Sequence, residues 1–106
     1  MTRASFAGGQ RYAVTWTGDN SSTWNHLRMT TPQLLNLGLS GFSMAGADVG
    51  GFAGSPPADL LTKWLELAAF PPIDRDHSAK GTRHPEVWVD GPERAAIRPR
   101  YIEERY

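Results

Sequence analysis

Three stretches of the chain have the hydrophobic pattern of β-strands. In residues 11–16, RYAVTW, the apolar and aromatic side chains of Tyr12, Val14 and Trp16 alternate with the other three, a period of two that is typical of a strand with one buried face. Residues 39–47 are small and mostly apolar, as in a strand buried on both faces of a parallel sheet. A third, shorter extended segment is predicted within FPPIDRDHSAKG, which begins at Phe70. The chain is therefore expected to contain three strands.

Two helices are predicted between the first two strands. Ser21 or Ser22 can cap the first helix, because a serine hydroxyl accepts a hydrogen bond from a free N–H of the first turn. Pro32 suits the first turn of the second helix, PQLLNLGL, because its missing N–H is not needed there. Gly38 is the expected end of that helix.

Two more helices are predicted after the second and third strands. The segment SPPADLLTKWLELAAF has start signals from Ser55 onward and apolar residues at helical spacing. The segment GPERAAIRPRYIEERY begins a helix at Pro92, which Pro99 should kink or interrupt. Trp24 and Trp64 lie on helix faces and are expected in the core. The alternation of strands and helices predicts an α/β fold with a parallel sheet.

Composition and charge limit the classes of protein that fit this pattern. With 106 residues and 40% hydrophobic side chains, the chain can build one small core but not two domains. Eleven basic and eleven acidic side chains give no net charge, which argues against a nucleic-acid or membrane-surface partner. The absence of cysteine excludes disulfides and a thiol nucleophile, and it slightly favours a cytoplasmic location.

Acidic and histidine side chains follow each predicted strand. Asp19, Asp48 and the Asp76–His77 pair each come just after a strand end, which is the edge where sites are built in β/α folds. Asp19 could cap the next helix, or it could act as a general acid/base beside the Trp16 ring. From the residues alone both interpretations stay open.

The other candidates also have structural alternatives. Asp48 could simply bind its own glycine-rich loop, and His77 could be a structural histidine. Asp19, Asp48 and His77 together could hold a metal ion in a small hydrolase, although no tightly spaced ligand pair supports a metal site. A Ser-His-Asp triad is disfavoured because no Gly-x-Ser-x-Gly elbow is present.

Three segments resemble glycoside hydrolase family 31, the α-glucosidase group of retaining enzymes. They are TRASFAGGQRYAVTWTGDNSSTWNHL, LLNLGLSGFSMAGADVGGFAG and FPPIDRDHSAKGTRHPEVW, in that order along the whole chain. The resemblance implies a (β/α)8 barrel, of which residues 1–106 form about the last three strand–helix units, with no second domain. We expect no cofactor and no metal, and the expected partner is a carbohydrate, an α-glucoside; the oligomeric state stays open.

The resemblance also implies roles for individual residues. The Asp of the family's W-x-G-D motif is the general acid/base, and it corresponds to Asp19. The Arg of TRASFAG binds the sugar near that acid and corresponds to Arg3, and the His of the R-D/N-H motif, which binds sugar hydroxyls, corresponds to His77. These three residues are the expected polar contacts with the substrate.

Three further positions are implied around the sugar. The Asp of GADVGGF helps to organise the sugar subsite and corresponds to Asp48, while Trp16 and Phe52 correspond to residues that wall the pocket. A retaining glycosidase uses two carboxyl groups about 5–5.5 Å apart, one as nucleophile and one as acid and then base. Asp19 would be the second of these groups.

The sequence departs from the family pattern at the nucleophile. No motif of the form W-x-D-M-N-E occurs, and a complete barrel needs ~250 residues. We therefore expect a fragment of an α-glucosidase that removes terminal α-linked glucose from oligosaccharides. By itself the chain is expected to be inactive and only weakly stable; the alternative is a non-catalytic orphan fragment.

Overall fold

Strands and helices alternate along the chain in the predicted order. The computed structural model describes all residues from 1 to 106. Its elements are β1 (Thr15–Trp16), α1 (Trp24–Leu39), β2 (Ala45–Asp48), α2 (Ala58–Ala68), β3 (Ile73–Arg75) and α3 (Pro92–Arg105), preceded by a 3-10 turn at Gly9–Arg11. The three strands form one sheet in the order β1-β2-β3, and both neighbouring pairs are parallel. The predicted α/β fold with a parallel sheet is confirmed.

The sheet continues beyond β1 through the first residues of the chain. Thr2 forms an isolated parallel bridge with Thr15: its N–H donates to the Val14 carbonyl at 2.9 Å, and its carbonyl accepts from the Trp16 N–H at 3.2 Å. On the other side, Thr15 pairs with Ala45 of β2. The segment at Thr2, β1, β2 and β3 therefore run side by side, with their carboxyl ends at one edge.

The first two predicted strands are longer than those in the structure. Arg11 belongs to the 3-10 turn, and Tyr12 is largely exposed, so only Thr15–Trp16 forms a strand. At the second strand, Leu39 is the last residue of α1, and a turn with Gly41 at φ 89° follows before β2 begins at Ala45. In front of each strand, a turn that contains glycine includes residues that the hydrophobic pattern assigned to the strand, so each strand begins later than predicted.

The two helices predicted before β2 are one continuous helix, α1. Pro32 lies inside it, where its missing N–H leaves the Arg28 carbonyl without its helical partner. Both residues are exposed, so water can bind that carbonyl. Thr23, rather than a serine, caps the helix, with its hydroxyl accepting from the His26 N–H at 3.3 Å. The predicted boundary at Pro32 was wrong, and the helix ends one residue beyond Gly38.

Helix α3 also passes through a proline without ending. Pro99 lies within Pro92–Arg105, so of the two predicted effects, a kink or an interruption, the interruption is wrong. Among the tryptophans, Trp64 is 1% exposed and lies in the core as predicted, whereas Trp24 is 47% exposed and does not. None of the helices combines the length and apolar character that a membrane span requires.

The main hydrophobic core is built on α2 and packs against α3 and the residue that follows β2. Its fully buried members are mostly apolar residues of α2: Val49, Leu60, Leu61, Trp64, Leu65 and Ala68. Burying a valine or leucine side chain stabilises a fold by about 1.5–3 kcal/mol. The core therefore fixes α2 against α3 and against Val49, the residue that follows β2.

A buried arginine joins α3 to α2. Arg98 has no exposed side-chain surface, and it donates to the Thr62 hydroxyl at 3.0 Å and to the carbonyls of Val89 at 2.8 Å and Ala58 at 3.1 Å. Its guanidinium also pairs with the Asp90 carboxylate at 2.6 Å. Burial lowers the pKa of Arg98 from its ordinary value, and four partners compensate the buried charge.

Candidate active site

The strand ends bring polar and aromatic side chains to one edge of the sheet. Arg3 follows the bridge at Thr2, and Trp16 is the last residue of β1. Asp48 is the last residue of β2, rather than lying just beyond it as predicted, and Arg75 is the last residue of β3. The carboxyl edge of a parallel sheet is where β/α folds assemble their sites.

Asp19 lies three residues beyond β1 and pairs with Arg3. The Asp19 Oδ1 and the Arg3 guanidinium are 3.0 Å apart, and both side chains are about half exposed. The Asp19 carboxylate accepts no backbone hydrogen bond, and Thr23 caps α1 instead. The capping interpretation of Asp19 is therefore wrong, and its carboxylate remains open to solvent beside an arginine.

Asp48 is the most deeply buried acid of the site. Its side chain is 0% exposed, and neither carboxylate oxygen has a hydrogen-bond partner. The Arg75 guanidinium lies 3.2 Å from Oδ1, which is ion-pair distance without hydrogen-bond geometry. Burial has the largest effect on the Asp48 carboxyl and raises its pKa. Arg75 and His77 lower this pKa, and the negative charge of Asp19 raises it. The loop after β2 is held by the backbone carbonyl of Asp48, so its side chain does not bind that loop.

Trp16 connects the two ion pairs. The Arg3 Cζ atom lies 5.6 Å and the Arg75 Cζ atom 5.3 Å from the centre of the Trp16 ring, both within the range of a cation–π contact. The indole N–H is buried without a partner. Arg75 was missed by the sequence reasoning, although it is the first residue of the R-D-H motif that identified His77.

Phe52 and His77 form an aromatic pair at the same edge. Their ring centroids are 5.2 Å apart and the planes differ by 25°, so the rings are stacked. Backbone hydrogen bonds join the loops that carry them: the Phe52 N–H donates to the Asn20 carbonyl at 2.7 Å, and the Ala79 N–H donates to the Phe52 carbonyl at 2.9 Å. The loops after β1, β2 and β3 are therefore fixed to one another.

The structure does not assemble the alternative metal site. Asp19, Asp48 and His77 do not come together as a set of donors that could hold a metal ion. A separate apolar groove of about 420 Å³ lies near the opposite end of β2, lined by residues such as Leu35, Leu39 and Phe70. It contains none of the predicted site residues.

Gly51 is required where the loop after β2 packs against the start of α1. Its φ is 86°, and a Cβ atom there would lie 2.7 Å from the Ser22 nitrogen. We expect Gly51→Ala to cost about 1–3 kcal/mol of stability for this close contact, in addition to the strain of a positive φ. Gly81→Ala is the matched control, because Gly81 has a φ of 83° and open space around its Cβ position. Thermal or urea unfolding of the two alanine variants measures the difference between their losses of stability. Equal losses in the two variants would contradict the contact argument.

The chain matches a family over its whole length. The sequence model of the Glycosyl hydrolases family 31 TIM-barrel domain matches residues 1–106. Alpha-glucosidase 2 of Bacillus thermoamyloliquefaciens is 50% identical over 106 residues, which are 100% of this chain and 14% of that relative. The probable glucan 1,3-alpha-glucosidase of Oryza sativa subsp. japonica is 46% identical over 106 residues, again all of this chain and 12% of that relative. This chain thus spans about an eighth of the length of such relatives.

Solved structures have the same fold. A crystal structure of glucosidase II alpha subunit, bound to alpha3-Glc2, superposes with a TM-score of 0.95 at 43% identity, over 99% of this chain and 11% of that one. The Family 31 alpha-glucosidase from Bacteroides thetaiotaomicron gives a TM-score of 0.93 at 48% identity, over 100% of this chain and 18% of that one. By sequence and by fold, this chain belongs to glycoside hydrolase family 31 and forms part of its TIM-barrel domain.

Proposed function

We propose that this chain supplies the acid/base half of the active site of a retaining α-glucosidase, in about the last three strand–helix units of its barrel. The observation that carries this proposal is the half-exposed Asp19 carboxylate, 3.0 Å from Arg3 and at the carboxyl edge of a family 31 sheet. The names of two relatives at 50% and 46% identity support an α-glucoside as the substrate.

Asp19 performs two proton transfers in the proposed reaction. In the first step, its protonated carboxyl gives a proton to the glycosidic oxygen while a carboxylate nucleophile bonds to the anomeric carbon and the leaving group departs. In the second step, the Asp19 carboxylate removes a proton from water, which attacks the same carbon and releases the nucleophile. The nucleophile comes from another barrel strand, because the chain has no W-x-D-M-N-E motif.

The surrounding residues orient the acid and the sugar. Arg3 fixes the carboxyl of Asp19 and reaches the substrate, because both side chains are half exposed and paired. His77 donates hydrogen bonds to sugar hydroxyls, and Phe52 holds its ring by stacking. Trp16 forms an apolar wall beside the reacting atoms. The reaction uses protons and a carboxylate alone, so it needs no cofactor.

A grafted enzyme tests the proposal. Residues 1–106 replace the corresponding segment of the Bacteroides thetaiotaomicron family 31 α-glucosidase, which they match over 100% of their length. We expect this grafted enzyme to hydrolyse maltose, and the same enzyme with Asp19→Asn to lose that activity. Residues 1–106 alone, which lack a nucleophile motif, are the negative control. A folded graft without hydrolysis, or one indifferent to Asp19→Asn, would contradict the proposed function.

Arg3→Ala and His77→Ala should each weaken binding of the transition state in the grafted enzyme. A hydrogen bond from a charged or strongly polar group contributes about 1.5–3 kcal/mol, which corresponds to a loss of about 10- to 150-fold in kcat/KM. Steady-state kinetics with maltose measure the loss. The controls are Arg11→Ala and His84→Ala, at exposed positions outside the site, which should keep near-normal values. A site variant that behaves like its control would remove that residue from the proposed site.

A further inference from the structure

A buried carboxylate in the site has no hydrogen bond and no access to a substrate. Asp48 is 0% exposed, so it cannot touch a sugar directly in this arrangement of strands. Both of its oxygens lack hydrogen-bond partners, which is uncommon for a buried polar group and calls for a compensating charge. That charge is the Arg75 guanidinium, 3.2 Å away.

The sheet register places this pair side by side. Asp48 and Arg75 are Cα partners across the β2–β3 ladder, so their side chains project on the same face of the sheet. Arg75 is 27% exposed and reaches from the buried acid to Trp16, with its Cζ atom 5.3 Å from the ring centre. Arg3 contacts the same ring and pairs with Asp19. A continuous row of contacts therefore runs from the buried acid to the exposed one.

We infer that Arg75 is a positioning residue, anchored by the buried Asp48, that fixes the Trp16 ring and thereby the Arg3–Asp19 pair. The inference rests on the proposed function, because it assigns a support for the proton donor named there. The Asp48 carboxylate holds the Arg75 guanidinium in place, and the guanidinium in turn restricts the position of the Trp16 ring.

An arginine suits this position better than a lysine. Its planar guanidinium can lie over an aromatic ring and pair with a carboxylate at the same time, whereas an ammonium is a compact point charge. Removing either member of the Asp48–Arg75 pair leaves the other charge uncompensated in a buried setting. The pair should therefore behave as one unit in substitution experiments.

The test compares two substrates in the grafted enzyme. Maltose has a poor leaving group and needs a proton from the acid, whereas an activated nitrophenyl α-glucoside needs little. We expect Arg75→Met to lower kcat/KM for maltose at least about ten-fold more than for the activated substrate, because a displaced acid protonates poorly. Arg75→Lys should show the same selectivity with a smaller loss. Arg28→Met, at an exposed position on α1, should change neither value.

A double substitution tests the anchor. If Asp48 acts through Arg75, Asp48→Asn alone should lower kcat/KM for maltose, but adding it to Arg75→Met should lower kcat/KM little further, so that the two effects are strongly non-additive. Additive losses would mean that Asp48 acts independently of Arg75, and the inference would be wrong.

The remaining outcomes also decide the question. Equal losses on both substrates would make Arg75 a sugar-binding or purely structural residue, and failure of both Arg75 variants to fold would likewise make its role structural. Asp19→Asn is measured in parallel. If Asp19→Asn shows the substrate selectivity and Arg75→Met does not, only the positioning role of Arg75 is contradicted. If neither variant shows the selectivity, the acid role of Asp19 in the proposed function is contradicted as well.

Discussion

Asp19→Asn should lower kcat/KM of the grafted enzyme for maltose by about 10²–10⁴-fold, which is the usual contribution of a positioned general acid. Asparagine preserves the size of the side chain but cannot deliver a proton to the glycosidic oxygen. The loss should be much smaller for an activated nitrophenyl α-glucoside, whose leaving group departs without protonation. The measurement is the ratio of the two kcat/KM values, which reports the first chemical step.

Asp59→Asn is the matched control for this substitution. Asp59→Asn removes the same charge from α2, where Asp59 is 71% exposed and pairs with Arg94. Neither residue of this pair belongs to the site. The control should leave both kcat/KM values nearly unchanged. Equal losses on the two substrates in Asp19→Asn would argue against the acid role, and they would favour a role in binding or folding.

Arg98→Met should produce the largest loss of stability in the chain, about 3–5 kcal/mol in the free energy of unfolding. Methionine keeps much of the apolar volume but removes four contacts at once: the Thr62 hydroxyl, two backbone carbonyls and the Asp90 carboxylate. Asp90, itself held at φ 75°, would retain Arg83 as its partner but lose its buried one. Urea unfolding of the grafted enzyme measures the loss as a lower midpoint.

Arg94→Met, one turn earlier on α3, is the control for Arg98→Met. Arg94 pairs with the exposed Asp59, and exposed pairs contribute only about 0–1 kcal/mol. At urea concentrations below the unfolding transition, both variants should have normal activity, because neither residue lies at the strand ends. A loss in Arg98→Met no larger than that in Arg94→Met would contradict the argument that burial of the charge makes the network important.

The alternation of strands and helices could be predicted because it follows from the spacing of apolar residues over short stretches of the sequence. The small, apolar residues before Asp48 indicate a strand that is buried, and β2 is buried along its full length. The helical spacing around Trp64 indicates the face that packs in the core. Both features depend on residues near one another in the sequence, so no knowledge of the rest of the chain was needed.

Element boundaries and buried charges could not be predicted in the same way. Whether α1 continues through Pro32 depends on whether water can reach the freed Arg28 carbonyl, which is a property of the folded surface. Arg75 and Arg98 read as ordinary polar residues in the sequence. Their roles come from partners across the sheet and between α2 and α3, which only the tertiary structure brings together.

The site itself was predicted through the family resemblance more than through its chemistry. From the residues alone, capping and catalysis were equally open for Asp19, and the structure removed the first by placing Thr23 at the cap. The stacking of Phe52 on His77 joins residues 25 positions apart, and no local pattern indicates it.

Azide rescue of Asp19→Ala is the most direct test of the general acid/base role. Alanine removes the base that activates water in the second step, but azide is already a strong nucleophile and needs no base. With an activated nitrophenyl α-glucoside, added azide should restore turnover of the grafted enzyme and yield α-glucosyl azide, whose configuration is retained. An Asp19→Ala enzyme that is not accelerated by azide, or that forms the β-azide, would contradict the assignment of Asp19 as the acid/base of a retaining enzyme.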